Sequence, residues 1–246
     1  GQRLVTSPIV QIVGPGRAGQ SFFEALTSKG WNMKDPLGRD DDLSDVSKGV
    51  DLILITTPDR EISTVASQIP KCEAVIAHIA GSMSLQSLKP HERIGSIHPL
   101  VSLPNPEIGK ERLLNNAWFA VAGDPFMGKI VKTLGGTGFN LPDSNRTLYH
   151  ATACIASNHL VVLLEQVRRL AAHINVPFEA FLNLSKGSME SVSTLSPKEA
   201  LTGPATRKDE ETLQSHLESL PKEELNLYKS LVEEIKRLTT QNGLEE

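Results

Sequence analysis

Gly14, Gly16 and Gly19, in the run IVGPGRAG directly after the apolar stretch PIVQIV, have the spacing of a loop that presents a helix start to a phosphate. A helix N-terminus exposes several unpaired N–H groups and carries about half a positive charge, so an anion can rest there if no side chain blocks its approach. In a dinucleotide site Gly14 makes the tight turn, Gly16 admits the pyrophosphate and Gly19 lets the helix pack closely on the strand. Pro15, Arg17 and Ala18 share that loop, and Thr57 and Pro58, at the end of DLILITTP, are expected beside the same cofactor. A plain strand-to-helix turn could carry the same glycines without a ligand. Here they follow a strand, open an amphipathic helix and begin the first βαβ unit, which favours cofactor binding.

Two residues compete to select the nicotinamide cofactor. NAD is usually marked by an acidic residue about 20 positions on, at the end of the second strand, and Asp35 could serve. Alternatively Arg39, in PLGRDDD, would pair with the 2′-phosphate of NADP, leaving Asp40 to Asp42 as the cap and first turn of the next helix. NADP is the expected cofactor, with NAD possible. His78, Gly81 and Ser82 end AVIAHIAGS, and ligands of parallel sheets bind outside the carboxyl ends of strands. Gly81 would admit a nicotinamide or substrate, and Ser82 could donate a hydrogen bond unless Gly–Ser is only a turn. Arg207, in TGPATRKD, could grip a substrate carboxylate with two prongs, or be a surface arginine near a helix cap. Cys72 and Cys154 lie far apart without metal-ligand spacing, so neither a metal site nor a disulfide framework is expected.

The elements that must position these residues divide into two kinds. Pro8–Val13, Asp51–Pro58, Ala74–Gly81, Arg93–Pro99 and Trp118–Gly123 are β-rich and bounded by turn residues. Arg17–Lys29 carries apolar residues at helical spacing, and Gly30 stops it. Alternating strands and helices predict an α/β fold with a mostly parallel, Rossmann-type sheet, covered on both faces. From about Pro142 long helical periodicities take over. Asn145–Ile174 is apolar around most of its circumference and is expected to be the buried spine of an all-helical second domain, followed by helices over Pro177–Val192, Asp209–Leu220 and Pro221–Leu238. The expected domains are 1–141 and 142–246.

Taken together, GPGRAG, AHIAGS, GSIHPL, CIASNHL and LTGPATRKDEETLQSHL resemble the Rossmann-like family whose helical second half is known only as a domain of unknown function. The resemblance runs over nearly the whole chain. It implies kinship with 6-phosphogluconate, ketopantoate, pyrroline-5-carboxylate and prephenate dehydrogenases or reductases. GSIHPL resembles the prephenate-type segment in which a catalytic histidine precedes a proline, which carries over as His98 and Pro99. A histidine suits proton exchange near neutral pH, although one at a strand end can also be structural. CIASNHL matches the helix where related dehydrogenases place a lysine one turn before an asparagine. Asn158 matches that asparagine, either holding a substrate oxygen or buried as a satisfied amide, and Cys154 stands at the lysine position. The family pattern has glycine where this chain has Lys208.

The 25 basic and 29 acidic side chains give a formal charge of −4 without a basic stripe, so neither nucleic acid nor a membrane surface is expected as a partner. No apolar stretch is read as reaching the roughly 20 residues that span a bilayer, and the start lacks the features of a secretory signal; a cytoplasmic protein is expected. Gly1 and Gln2 are set aside as an expression-tag remnant. The expected activity is NADP-dependent hydride transfer to or from a small carboxylated carbonyl, hydroxyl or imine substrate in the cleft between domains, in a homodimer. The alternative is a non-catalytic NADP(H)-binding sensor or assembly protein, supported by Cys154 in place of lysine. A helical interaction protein with an empty Rossmann domain is disfavoured by the glycine loop.

Overall fold

The computed structural model of the chain describes residues 7–204 and 209–240. Among them, β1 (Ile9–Val13), α1 (Arg17–Ser28), β2 (Asn32–Met33), β3 (Leu52–Ile55), α2 (Ile62–Gln68), β4 (Val75–His78), β5 (Ile94–Pro99), α3 (Pro106–Leu114), β6 (Trp118–Gly123), α4 (Phe126–Leu134) and β7 (Thr137–Asn140) build an α/β layer. The seven strands form one sheet in the order β2-β1-β3-β4-β5-β6-β7. Only β6 runs antiparallel to its β5 neighbour, and the remaining pairs are parallel. The fold is Rossmann-type α/β.

Side chains alternate across this sheet as strand geometry requires. Val10, Ile12, Leu52, Leu54, Val75 and Ala77 pack on one face with Phe22 and Leu26 of α1, Leu113 of α3 and Ile130 of α4. Val13, Ile53, Ile55 and Ile76 pack on the other with Ile62 and Ala66 of α2 and with Leu43, Val46 and Val50. Both faces are thus buried, which is why the strands read as continuous apolar runs. Two strands escaped the sequence pattern. β2 pairs through only two residues, and β7, sequence TGFN, is mostly exposed and has no apolar alternation.

One expected helix is absent. Asp40–Asp42 begin a series of turns, because Asp41 accepts the Gly38 N–H at 2.6 Å and Asp42 accepts the Ser44 N–H at 2.9 Å. These side chains satisfy backbone donors locally instead of capping a helix.

After a short 3₁₀ turn at Asp143–Asn145, a continuous helix follows. It comprises α5 (Arg146–Cys154), a π-helical segment (Ile155–His159) and α6 (Leu160–His173). Beyond it lie α7 (Phe178–Thr194), α8 (Pro197–Ala200), α9 (Glu210–Ser219) and α10 (Leu225–Thr240). By contacts the chain divides between Asn158 and His159, later than the 141/142 boundary read from sequence. The reason is that α5 is anchored to the sheet: the Arg146 side chain is buried and bonds Ser96 and the Ala80 carbonyl.

The expectation of a buried spine is corrected. Leu148 is 74% exposed, Ile155 57% and Val161 64%. Apolar periodicity shows that a face wants covering, not what covers it. The reading that no stretch is long enough to span a bilayer is corrected as well: Asp143–His173 is long and apolar enough by length and composition, with a mean hydropathy of 1.3 in its apolar window. Within the second unit, Glu224 is buried and accepts two hydrogen bonds from Arg169 (2.9 and 3.1 Å) and one from Gln166 (3.0 Å). These bonds hold its carboxyl below the usual range and tie α6 to the turn that precedes α10.

Candidate active site

The glycine loop performs three different tasks at its three glycines. Gly14 has φ +122°, and a Cβ there would lie 2.6 Å from the Thr56 carbonyl carbon. Its N–H donates to the Leu37 carbonyl at 2.8 Å, and its own carbonyl accepts the Thr56 hydroxyl at 2.6 Å. Gly19 is pressed onto the Gly14 carbonyl, so any side chain would separate α1 from β1. At Gly16, by contrast, a Cβ would meet nothing within 4 Å. Gly16 is the N-cap of α1, and no side chain caps that turn. The open space beside its N–H groups therefore has the form of an anion site, with Arg17 and Ala18 as the first helical residues.

That space belongs to a cavity of about 440 Å³ lined by Gly14, Pro15, Gly16, Arg39, Thr57 and Pro58, with Asp41 and Glu61 also on its wall. Six expected cofactor residues are thus brought together. Arg17 points away, towards the Pro104 carbonyl at 3.5 Å. Asp35 is exposed and not on the cavity wall; its carbonyl accepts the Gln11 amide. The Thr57 hydroxyl oxygen is buried without a hydrogen-bond partner among the described residues. A buried orphan hydroxyl costs stability unless something bonds it, and the cavity it adjoins suits a polar ligand. Arg39 forms an ion pair with Glu61 at 2.7 Å, a contact that sequence reading missed because the two belong to separate turns.

A second cavity, of about 410 Å³, lies beyond the end of β5 and along α5. His98, Ser102, His150, Cys154, Ser157 and Asn158 line it. It unites the expected His98 and Asn158, and adds His150 and Ser102, which were not foreseen. Asn158 is exposed rather than a buried amide. The π-helical segment that carries it offsets the residues around Asn158 from regular α-helical register, a distortion common at functional sites.

His98 is partly buried, and its Nδ1 lies 2.6 Å from the Tyr149 hydroxyl, with the rings edge to face. Burial, reinforced by His150 and Arg146, lowers the His98 pKa to about 4, so the ring is neutral at neutral pH. This changes the role expected of it, since an imidazolium is not available near pH 7. Burial likewise pushes the Tyr149 phenol up to about 12. A Cβ at Gly81 would stand 3.2 Å from atoms of both rings, so the bare backbone there makes room for the pair. Arg146, bonding Asp143 at 2.6 Å and Ser96 at 2.5 Å, fixes the helix that delivers Tyr149. Arg146, Tyr149 and His150 follow i, i+3, i+4 spacing, a signal on one helix face that the sequence did offer.

The remaining expected residues are placed elsewhere. His78 is fully buried: Nδ1 accepts the Ala80 N–H at 3.0 Å and Nε2 lies 3.4 Å from the Ser84 carbonyl. Burial, with Arg146 second, lowers its pKa to about 4. It orders the turn after β4 rather than reaching a ligand, a correction to its expected substrate contact. The Ser82 hydroxyl donates to Asp59 at 3.0 Å and is not on either cavity wall. Arg207 and Lys208 lie outside the described residues. No cluster of metal-ligating side chains occurs among the described residues.

Comparison with known proteins matches residues 120–235 to a family model described as a domain of unknown function (DUF2520). No curated protein matches the sequence. The structure is similar to that of a candidate NADP oxidoreductase from Bacteroides fragilis, at 21% identity and TM-score 0.77, covering 95% of this chain and 100% of that one. It is also similar to a Thermotoga maritima protein, at 23% identity and TM-score 0.70, covering 94% and 98%. A pyrroline carboxylate reductase of Plasmodium falciparum with NADP bound follows at 13% identity and TM-score 0.63, covering 96% and 99%. These likenesses concern the fold. The match to the domain of unknown function DUF2520 thus runs from β6, inside the Rossmann-type sheet, through most of the helical region.

Proposed function

We propose that this chain is an NADP(H)-dependent oxidoreductase acting on a small carbonyl, hydroxyl or imine compound. The observation that carries the reading is the glycine loop: Gly14 and Gly19 are packed against protein, while Gly16 opens on the 440 Å³ cavity. The pyrophosphate would rest at the start of α1. Arg39, on the cavity wall where Asp35 is not, favours the 2′-phosphate of NADP over NAD. The orphan Thr57 hydroxyl offers a further bond. The fold of the Plasmodium reductase with NADP bound supports the same placement. When bound, the nicotinamide supplies or accepts the hydride.

The chain's own residues then bind and orient the substrate. Ser102, His150 and Asn158 present hydrogen-bonding groups to the second cavity, and His98 contacts the reacting oxygen or nitrogen. No lysine or arginine lines that cavity among the described residues, so a substrate carboxylate would rely on its hydroxyl, amide and imidazole groups. Calorimetric titration with NADPH tests the reading. Micromolar binding by the native chain, lost in folded Gly16→Val, is expected; undiminished affinity in that variant overturns the loop assignment.

A second reading, a non-catalytic NADP(H) sensor, is favoured by Cys154, which lines the cavity at the position the family resemblance gives to lysine. Turnover of pooled oxo- and hydroxy-acids decides between the two. We further propose a homodimer, in which a second copy covers the exposed Val161, Val162, Leu184 and Met189 of α6 and α7. His150, Asn158 and His159 along the apolar helix oppose lipid as the cover. Light scattering in detergent-free buffer tests this, and a monodisperse monomer would overturn it.

A further inference from the structure

The pairing of His98 with Tyr149 has a chemical consequence for which of the two ring nitrogens carries the proton. Tyr149 keeps its hydroxyl hydrogen at every working pH, and among the described residues that hydroxyl has one hydrogen-bond partner, Nδ1 of His98 at 2.6 Å. A hydroxyl hydrogen aimed at Nδ1 makes that nitrogen the acceptor. A neutral imidazole has one N–H, so it lies on Nε2. Nε2 has no protein partner among the described residues, and His98 lines the 410 Å³ cavity.

The surroundings are built to hold this arrangement. Arg146 ties the first turn of α5 to Ser96, two residues before His98, and to the carbonyl of Ala80, one residue before Gly81. One helical turn on, Tyr149 is delivered onto His98, and Gly81 leaves space against both rings. Phe139 of β7 packs against the Tyr149 ring, with centroids 5.9 Å apart.

We propose that Tyr149 is a positioning residue that locks His98 as the neutral Nε2–H tautomer, leaving a hydrogen-bond donor for a neutral acceptor, the carbonyl oxygen or imine nitrogen of the substrate. The identity of the acceptor rests on the oxidoreductase reading above; the tautomer rests on the Tyr149 hydroxyl donating to Nδ1. In the reductive direction a bound nicotinamide would supply the hydride to the substrate carbon. The oxygen or nitrogen so made basic takes the Nε2 proton, while Nδ1 takes the hydroxyl proton of Tyr149. The negative charge then rests on the Tyr149 oxygen, near the Arg146 guanidinium, until solvent protonates Nε2 and Nδ1 returns its proton to Tyr149.

The test is nitrogen-15 NMR of the histidine rings in the full chain, with the His98 signals identified by their loss in His98→Asn. At pH 7 the native protein should show a pyrrole-type Nε2 and a pyridine-type Nδ1 at His98, unchanged down to pH 5. Tyr149→Phe, which keeps the ring and removes the hydroxyl, should shift His98 to a mixture of tautomers while NADPH affinity stays within about twofold. A proton on Nδ1 in the native chain, or an unaltered tautomer in Tyr149→Phe, overturns the proposal. The native spectrum decides the matter alone should the variant fail to fold. Absence of NADPH binding by the native chain would overturn the cofactor reading and leave the tautomer result standing.

Discussion

Replacing Arg39 with alanine should weaken NADPH selectively, and the structure sets the size of the effect. A charge-assisted hydrogen bond from a guanidinium to the 2′-phosphate is worth roughly 1.5–3 kcal/mol. Before that bond forms, Arg39 must leave Glu61, its partner at 2.7 Å. The arginine side chain is 76% exposed and the glutamate 28%, so the pair contributes only about 0.2–1 kcal/mol. The difference leaves roughly 1–2 kcal/mol, a loss of about five- to thirtyfold in NADPH affinity, with NADH nearly unchanged. The companion change, Glu61→Gln, should tighten NADPH up to about fivefold, because the competitor is gone and a like charge no longer faces the phosphate. Isothermal titration with both cofactors, at low and high salt, reads these values, and the selectivity should shrink as salt screens the exposed charges. Equal losses for NADPH and NADH in Arg39→Ala would refute the assignment, as would weaker NADPH binding by Glu61→Gln.

Three other outcomes are expected. Gly19→Ala should lower the urea midpoint markedly, since its Cβ would overlap the Gly14 carbonyl, whereas Gly16→Val should leave that midpoint within the range of ordinary surface changes. Once a substrate is known, His98→Asn should reduce kcat about 10²- to 10⁴-fold with cofactor affinity near normal; wild-type turnover with an unchanged pH profile would make His98 structural. Stability should fall with acid: His78 and His98 titrate near 6.5 when unfolded and at about 4 when folded, so between those values the unfolded chain holds protons that the native chain does not. That contribution is complete above about pH 6.5 and lost as the pH drops towards 4, and urea titrations at pH 7 and 5 should show a shallower dependence in His78→Gln than in the native chain.

The sequence by itself determined the layered α/β fold, because its signals are local. Apolar runs such as LILI, alternating faces in PIVQIV and the periodicity of Arg17–Lys29 are fixed by strand and helix geometry within a few residues. The glycine loop was legible for the same reason: a tight turn, an open approach and a close packing contact each demand a missing side chain at a set position. Tertiary structure decided what those local rules cannot reach. His98 and Tyr149 stand 51 residues apart in the chain, Ser96 and Arg146 50, and Arg39 and Glu61 22. No pattern confined to one element reports that such pairs meet. Burial made the same decision for His78, whose strand-end position suggested a ligand contact and whose complete enclosure turns it into a bond to the Ala80 N–H. The apolar helix from Asp143 to His173 marks the limit from the other side: its composition demands a cover, but the exposure of Leu148, Ile155 and Val161 shows that the described residues do not supply one, because hydrophobicity is a property of a residue and burial is a property of its neighbours.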